Sequence, residues 1–314
     1  MLWLKMLWET NQLLMIQYHN PVLSNECIKG LNINPSGVYV DVTFGGGGHS
    51  KLILENLSKK GFLFAFDKDK DAKKNAFNNN QFKLIHANFR NLKNFLKMEG
   101  IFRIDGLLAD LGVSSHQFDL AERGFSIRFE SKLDMRMNVN SSLSALEVIN
   151  EYSEEDLAEI LFKYGELRNS INISRSIVEA RMHEPIITTS QLIAVVSWLS
   201  PKKKRNQFLA RIFQAIRIEV NDEMIALKEM LLDAVDMLGT GGRLVVLSYH
   251  SLEDRMVKNL LKKGNFEGKL KKDFFGNPIK DLTEITKKVI VANEEEIALN
   301  PRARSAKLRV AEKK

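Results

Sequence analysis

The pattern of apolar and polar positions changes character twice along the 314 residues. From about residue 37, short runs that are apolar throughout alternate with stretches whose apolar positions recur at helical spacing. Val38-Tyr-Val-Asp-Val42 reads as a first strand ending in glycines, and Ser50 to Leu57 as a helix with Leu52, Ile53, Leu54 and Leu57 on one stripe. Phe62-Leu-Phe-Ala-Phe66 predicts a second strand ending on Asp67, followed by a helix over 68–78 and a third strand at Phe82-Lys-Leu-Ile-His86. Ile104-Asp-Gly-Leu-Leu-Ala109 predicts a fourth, ending on Asp110. Strands without polar alternation are buried on both faces, which implies a mostly parallel sheet between helical layers, an α/β fold.

The rhythm breaks after residue 112. A polar loop through Arg123, Arg128, Asp134 and Arg136 leads into helical periodicity, with Ser153-Glu-Glu-Asp156 as a helix start that Ser153 caps. The strand–helix pattern resumes with a long helix over Gln207 to Leu238, stopped by Gly239-Thr-Gly-Gly242. A fifth strand at Arg243-Leu-Val-Val-Leu-Ser248, a helix from Leu252 to Lys262, and a closing antiparallel pair at Lys287–Val291 and Ala306–Ala311 follow. The expected organisation is a core of residues 15–112 and 207–314, a helical insertion over 113–206, and an N-terminal extension over 1–14. The apolar start, Met1 to Trp8, is interrupted by Glu9, Asn11 and Gln12, too soon for a membrane span, and lacks a signal-peptide cleavage pattern. Met15 is a plausible natural start, and the expected location is cytoplasmic.

Composition narrows the classes. A hydrophobic fraction of 44% beside 27% charged residues is that of a globular protein rather than a disordered one. Cys27 is the single cysteine, which excludes a disulfide framework and a multi-cysteine zinc site. The net charge of +7 favours polyanionic partners, and its distribution sharpens the point. Lys202-Lys203-Lys204-Arg205 form one block, while the tail from Pro301 carries Arg302, Arg304, Lys307 and Arg309. A solvated face and a phosphate-facing surface are both open readings of such runs.

Candidate chemistry gathers at the strand ends. Asp41-Val-Thr-Phe-Gly45-Gly46-Gly47-Gly48-His49 joins the first strand to the first helix, where glycines let backbone approach a ligand and the helix offers free N–H groups. Ligands of doubly wound sheets sit at this position. Asp67 occupies the place from which an acid accepts hydrogen bonds from ribose hydroxyls. It serves NAD and S-adenosylmethionine alike. The loop departs from the G-x-G-x-x-G register, with Ser50 in the last position, and Asp41 would repel a pyrophosphate but suits an amine, so S-adenosylmethionine is favoured. Asp110-Leu-Gly-Val-Ser-Ser-His-Gln117 opens beside the same crevice, Phe89 can flank an adenine, and His250 follows the fifth strand in Ser248-Tyr-His-Ser-Leu-Glu-Asp-Arg255. His49, His116 and His250 show no metal-ligand spacing, and no metal is expected.

These segments also form an ordered set. Together with Tyr18-His-Asn-Pro-Val-Leu23, Ala121-Glu-Arg-Gly-Phe-Ser126, Leu133-Asp-Met-Arg-Met137, Phe213-Gln-Ala-Ile-Arg217 and Asn300-Pro-Arg-Ala-Arg-Ser305, they resemble the RsmH (MraW) family of bacterial 16S rRNA cytosine-N4 methyltransferases from about residue 17 onward. Gly46 stands where relatives often carry arginine, and His116 where they often carry proline. The resemblance implies a class I, Rossmann-like S-adenosylmethionine methyltransferase fold with a seven-stranded, mostly parallel sheet and an inserted helical domain. It implies methyl transfer to a cytidine exocyclic amine in 16S rRNA of the small ribosomal subunit, near the decoding centre. Gly47, Gly48, His49, Asp67, Phe89, Asp110 and Gln117 would hold the cofactor, and Asp110 or His250 would act in catalysis. Lys202, Lys203, Lys204, Arg205, Arg302 and Arg304 would face RNA. The rival classes are an NAD-dependent oxidoreductase, a methyltransferase with a DNA or protein target, and an RNA-binding module without activity.

Overall fold

The computed structural model describes residues 21–113 and 121–314. The chain divides into two compact units, Met1–Gly112 with Ala226–Lys314, and Val113–Ile225. In chain order the first unit contributes α1 (Ser24–Leu31), β1 (Val38–Asp41), α2 (Gly48–Glu55), β2 (Phe62–Asp67), β3 (Phe82–His86), α3 (Leu92–Met98) and β4 (Ile104–Asp110). The second contributes α4 (Ala145–Glu151), α5 (Glu154–Lys163), α6 (Ser170–His183), α7 (Thr189–Val196) and α8 (Arg205–Asn221), and α9 (Glu223–Met237) carries the chain across the boundary. Then follow β5 (Leu238–Ser248), α10 (Ser251–Lys263), β6 (Leu282–Glu284), α11 (Glu294–Leu299) and β7 (Lys307–Lys313).

The first unit is built on one seven-stranded sheet in the order β3-β2-β1-β4-β5-β7-β6. The strands from β3 to β5 pair in parallel, and β7 runs antiparallel to both β5 and β6. Leu63, Ala65, Phe66, Leu107, Leu108, Val245 and Leu247 are fully buried, which is why these strands read as unbroken apolar runs. Register then places the acids. Asp41 lies opposite Ala65 of β2 and Leu108 of β4, so Asp67 and Asp110, each two residues further on, project from the same edge. Asp110 lies opposite Leu247, which brings Tyr249 to that edge as well.

Four local expectations change. Residues 68–78 form only a short 3-10 turn, Lys70–Asn75, because Ala72 is the one residue of the turn that becomes buried. The long helix breaks into α8 and α9 at Asp222, whose φ of 51° puts it in the left-handed region. β5 begins at Leu238 rather than Arg243, with an irregularity opposite Ile104–Gly106. The closing strand expected at 287–291 reduces to a single bridge between Ile290 and Leu308, and the outer partner of β7 is Leu282–Glu284.

The second unit is helical around a polar loop, and it extends to Ile225, past the expected boundary at 206. The reason is packing: α8 buries Phe208, Leu209, Ile212 and Phe213 and lies against α4 and α5. Ser153 caps α5 as expected, accepting the Asp156 N–H. The 121–144 loop is fixed from within. Asp134 and Arg136 pair at 2.8 Å, and Asn221 accepts the Met137 N–H while donating to the Met135 carbonyl.

Candidate cofactor and active site

The loop after β1 is tied down by its own acid. Asp41 is buried, its Oδ2 accepts the Ser50 hydroxyl at 2.6 Å, and its Oδ1 accepts the Thr43 N–H at 3.0 Å and, more weakly, the Thr43 hydroxyl. Both oxygens are thus engaged within the loop. These bonds shape the turn, and Oδ2 keeps a second lone pair. Gly47 has a φ of 78°, and a Cβ there would lie 2.8 Å from the Phe77 ring and 3.0 Å from that of Phe44, so glycine is required for conformation and space alike. The turn delivers the chain to α2, whose start at Gly48 and His49 has no side-chain cap, leaving N–H groups of the first turn for a ligand.

Asp67 sits at the end of β2. Its Oδ2 accepts the Gly45 N–H and its Oδ1 the Asp69 N–H, both at 2.8 Å, which locks the carboxylate against the glycine loop. Each oxygen keeps a second lone pair, which suits a vicinal diol. Burial pushes this carboxyl up to about 6, against the opposing pull of the two backbone donors. Phe89 opens the 3-10 turn Phe89–Asn91 after β3 and is half-buried, with Asn88 capping the turn. The glycine loop, Asp67 and the Phe89 turn thus stand at the ends of the three neighbouring strands β1, β2 and β3.

At the end of β4, Asp110 is the hub. Tyr249 donates its hydroxyl to Oδ1 at 2.7 Å, the His49 Nδ1 lies 3.6 Å from Oδ2, and the Asp110 N–H donates to the Thr43 hydroxyl at 2.7 Å. The His49 Nε2 donates to the Val22 carbonyl at 3.0 Å, which leaves Nδ1 turned to the carboxyl. Burial raises the Asp110 carboxyl above its usual range, while the charge of His49 and the Tyr249 hydrogen bond act in the opposite sense. Burial, followed by the charge of Asp110, holds the Tyr249 phenol well above its ordinary range, so it remains a proton donor.

His250 is held by a helix cap. It is the N-cap of α10, its Nδ1 accepting the Glu253 N–H at 3.4 Å, and Glu253 returns the contact by accepting the Tyr249 and His250 N–H groups. A capping box of this kind positions Tyr249 at the mouth of the site. Ser248 is buried and directs its hydroxyl to the Lys307 carbonyl, within the sheet. The sequence pointed to His250 on this segment and not to Tyr249. The register of β4 with β5 is the signal that would have found it.

Gln117, with Ser114, Ser115 and His116, lies outside the described residues. Of the cations, Lys202, Lys203, Lys204 and Arg205 are all exposed, before and at the start of α8. Positive charge at a helix start opposes the helix dipole, so folding alone does not favour this block. Beside it lies a pocket of about 380 Å³ that Arg168, Lys204 and Arg211 line. The C-terminal tail is not a free basic arm. Lys307 and Arg309 belong to β7, and both pair with Asp254, while Arg304 remains exposed and Arg302 half-buried.

Among the described residues, no helix is long and apolar enough to cross a membrane. Ribosomal RNA small subunit methyltransferase H of Flavobacterium johnsoniae is 56% identical over 301 residues, 95% of this chain and 98% of that protein. Its namesake from Phocaeicola vulgatus is 54% identical over 297 residues, again 95% and 98%. A solved rRNA methylase from Streptococcus thermophilus aligns over 92% of this chain and 93% of its own at 12% identity, with a TM-score of 0.39. The sheet, parallel to β5 and closed by an antiparallel β7 set between β5 and β6, has the class I methyltransferase order. Residues 16–314 match the MraW methylase family, and the chain belongs to it.

Proposed function

We propose that the protein transfers the methyl group of S-adenosylmethionine to the exocyclic N4 amine of a cytidine in 16S rRNA, near the decoding centre of the small ribosomal subunit. The observation that carries the reading is the cluster at one sheet edge, where Asp67 is clasped to the glycine loop and Asp110 is clasped by Tyr249 and His49. The names of the two relatives support a small-subunit rRNA substrate.

S-adenosylmethionine supplies an electrophilic methyl carried on a sulfonium. Asp67 would receive the ribose hydroxyls, Gly47, Gly48 and His49 would line the approach to the start of α2, and Phe89 would flank the adenine. The N4 lone pair is conjugated with the pyrimidine ring and is a weak nucleophile. Asp110 accepts an N4–H hydrogen bond, which localises that lone pair as the N–C bond forms. The same carboxylate then takes the proton released from N4, a role that its raised proton affinity favours. Tyr249 fixes the orientation of the carboxylate, and alignment of amine and methyl contributes the rest of the rate. His250 acts through the capping box that places Tyr249. In the helical unit, Lys202, Lys203, Lys204 and Arg205 contact phosphates, with Arg302 and Arg304 contributing from the other unit.

Mass mapping of 16S rRNA modifications from cells with and without the gene tests the reading. One methyl on one cytosine amine is expected to disappear. An unchanged map overturns it.

A further inference from the structure

Between α10 and β6 the chain forms a small hairpin that the site does not use. Lys272 and Pro278 bridge, the Ile279 N–H donates to the Lys271 carbonyl at 2.9 Å, and the Asp273 N–H donates to the Asn277 carbonyl at 2.9 Å. The tip is tightly built. Asp273 Oδ1 accepts the N–H groups of Phe275 and Asn277 at 2.9 and 2.8 Å, its Oδ2 accepts the Asn277 side-chain amide, and Gly276 takes a φ of 86°. This frame holds two adjacent rings in solvent, Phe274 at 97% and Phe275 at 84% exposure. The rings lie 5.7 Å apart at 87°, so their faces point in perpendicular directions.

A fold gains nothing from keeping two phenylalanines in water on a tightly bonded tip, since removing apolar surface from water is favourable. The surroundings indicate what covers them. Lys269, Lys271 and Lys272 are exposed, and their ammonium groups meet no carboxylate among the described residues. From Lys262 to Lys280 six lysines stand against Glu267 and Asp273. That charge opposes pairing with a second copy of this hairpin and complements phosphate. Aromatic faces interleaved with lysine are the combination that binds unpaired bases and the backbone joining them, whereas a duplex hides its base faces.

We propose that this hairpin is a second RNA-binding element, in which Phe274 and Phe275 stack on unpaired bases while Lys269, Lys271 and Lys272 neutralise the adjoining phosphates. The proposal rests on the RNA substrate of the reading above and adds a contact remote in sequence from the lysine block.

The test compares the wild-type protein, F274A/F275A and K271A/K272A for binding to small ribosomal subunits from cells lacking the gene, across a salt series. S-adenosylmethionine affinity, measured by calorimetry, verifies the fold of each variant, and phosphatidylglycerol vesicles serve as a second probe. F274A/F275A is expected to bind subunits at least about ten-fold more weakly with its salt slope unchanged. K271A/K272A is expected to lose about 1.4 units of salt slope. Equal subunit affinity of F274A/F275A and wild type overturns the hairpin proposal alone, because wild-type methyl transfer to the same subunits reports separately on the underlying function. Loss of vesicle binding with subunit binding intact assigns the hairpin to a lipid surface instead and also overturns it. If the wild type neither binds nor methylates the subunits, both readings fall.

Discussion

In the role proposed for it, Asp67 couples cofactor binding to pH. Burial raises its carboxyl to about 6, so near neutrality it is ionised and able to accept ribose hydroxyls, and it takes up a proton as pH falls through that value. Affinity for S-adenosylmethionine is therefore expected to be level above pH 7 and to weaken below about 6, and Asp67→Asn is expected to bind weakly with that dependence removed; calorimetry across the pH range measures both. The sign for stability is opposite. A carboxyl more easily protonated in the folded state than in the unfolded chain stabilises the fold below the ordinary carboxylate range and loses that contribution as pH rises through about 6. At the next strand, the Tyr249 hydroxyl favours the ionised form of Asp110. Tyr249→Phe removes that bond, so the acidic limb of the kcat/KM profile is expected to move to higher pH, with a rate loss of about ten-fold or more, far short of that of Asp110→Asn. An unshifted profile would confine Tyr249 to packing.

Elements present these residues through a few demanding positions. Gly47 is one, where alanine would face both a left-handed φ and the Phe77 ring at 2.8 Å. Gly47→Ala is expected to cost roughly 1–3 kcal/mol in thermal unfolding and, on the proposed cofactor site, to weaken cofactor binding disproportionately through the displaced loop backbone. The join between α10 and β7 is another. Asp254 accepts from Arg309 Nε at 2.7 Å, and the Arg309 side chain is only 9% exposed. Burial would raise the Asp254 carboxyl, yet the hydrogen bond and charge of Arg309, aided by Lys307, outweigh it and hold the group below its usual range. The stability it contributes is present above the ordinary carboxylate range and is lost as pH falls through the depressed value. Asp254→Ala leaves a buried guanidinium unpaired and is expected to lower stability by roughly 3 kcal/mol in urea unfolding at pH 7.

At the scale of the molecule, the charge surplus is a matter of partner rather than fold. Replacing Lys202, Lys203, Lys204 and Arg205 by alanine is expected to weaken small-subunit binding and flatten its salt dependence while leaving S-adenosylmethionine affinity unchanged. A salt series with filter binding gives both numbers, and an unaltered slope would remove the block from the RNA surface. The sequence by itself determined the parallel half of the sheet, the glycine loop, Asp67 and Asp110, since doubly buried strands print unbroken apolar runs and a parallel sheet gathers their ends on one edge. Family membership was legible for the same reason, in ordered motifs at those ends. Tertiary structure alone decided the rest. Tyr249 meets Asp110 across 139 positions of chain through strand register, Asp41 turns inward to its own loop, and His250 serves as a helix cap. Break points such as Asp222, and the reach of the helical unit to Ile225, follow from which side chains find a core. Periodicity records how a segment is buried, but a partner across the sheet leaves no mark on the neighbouring letters.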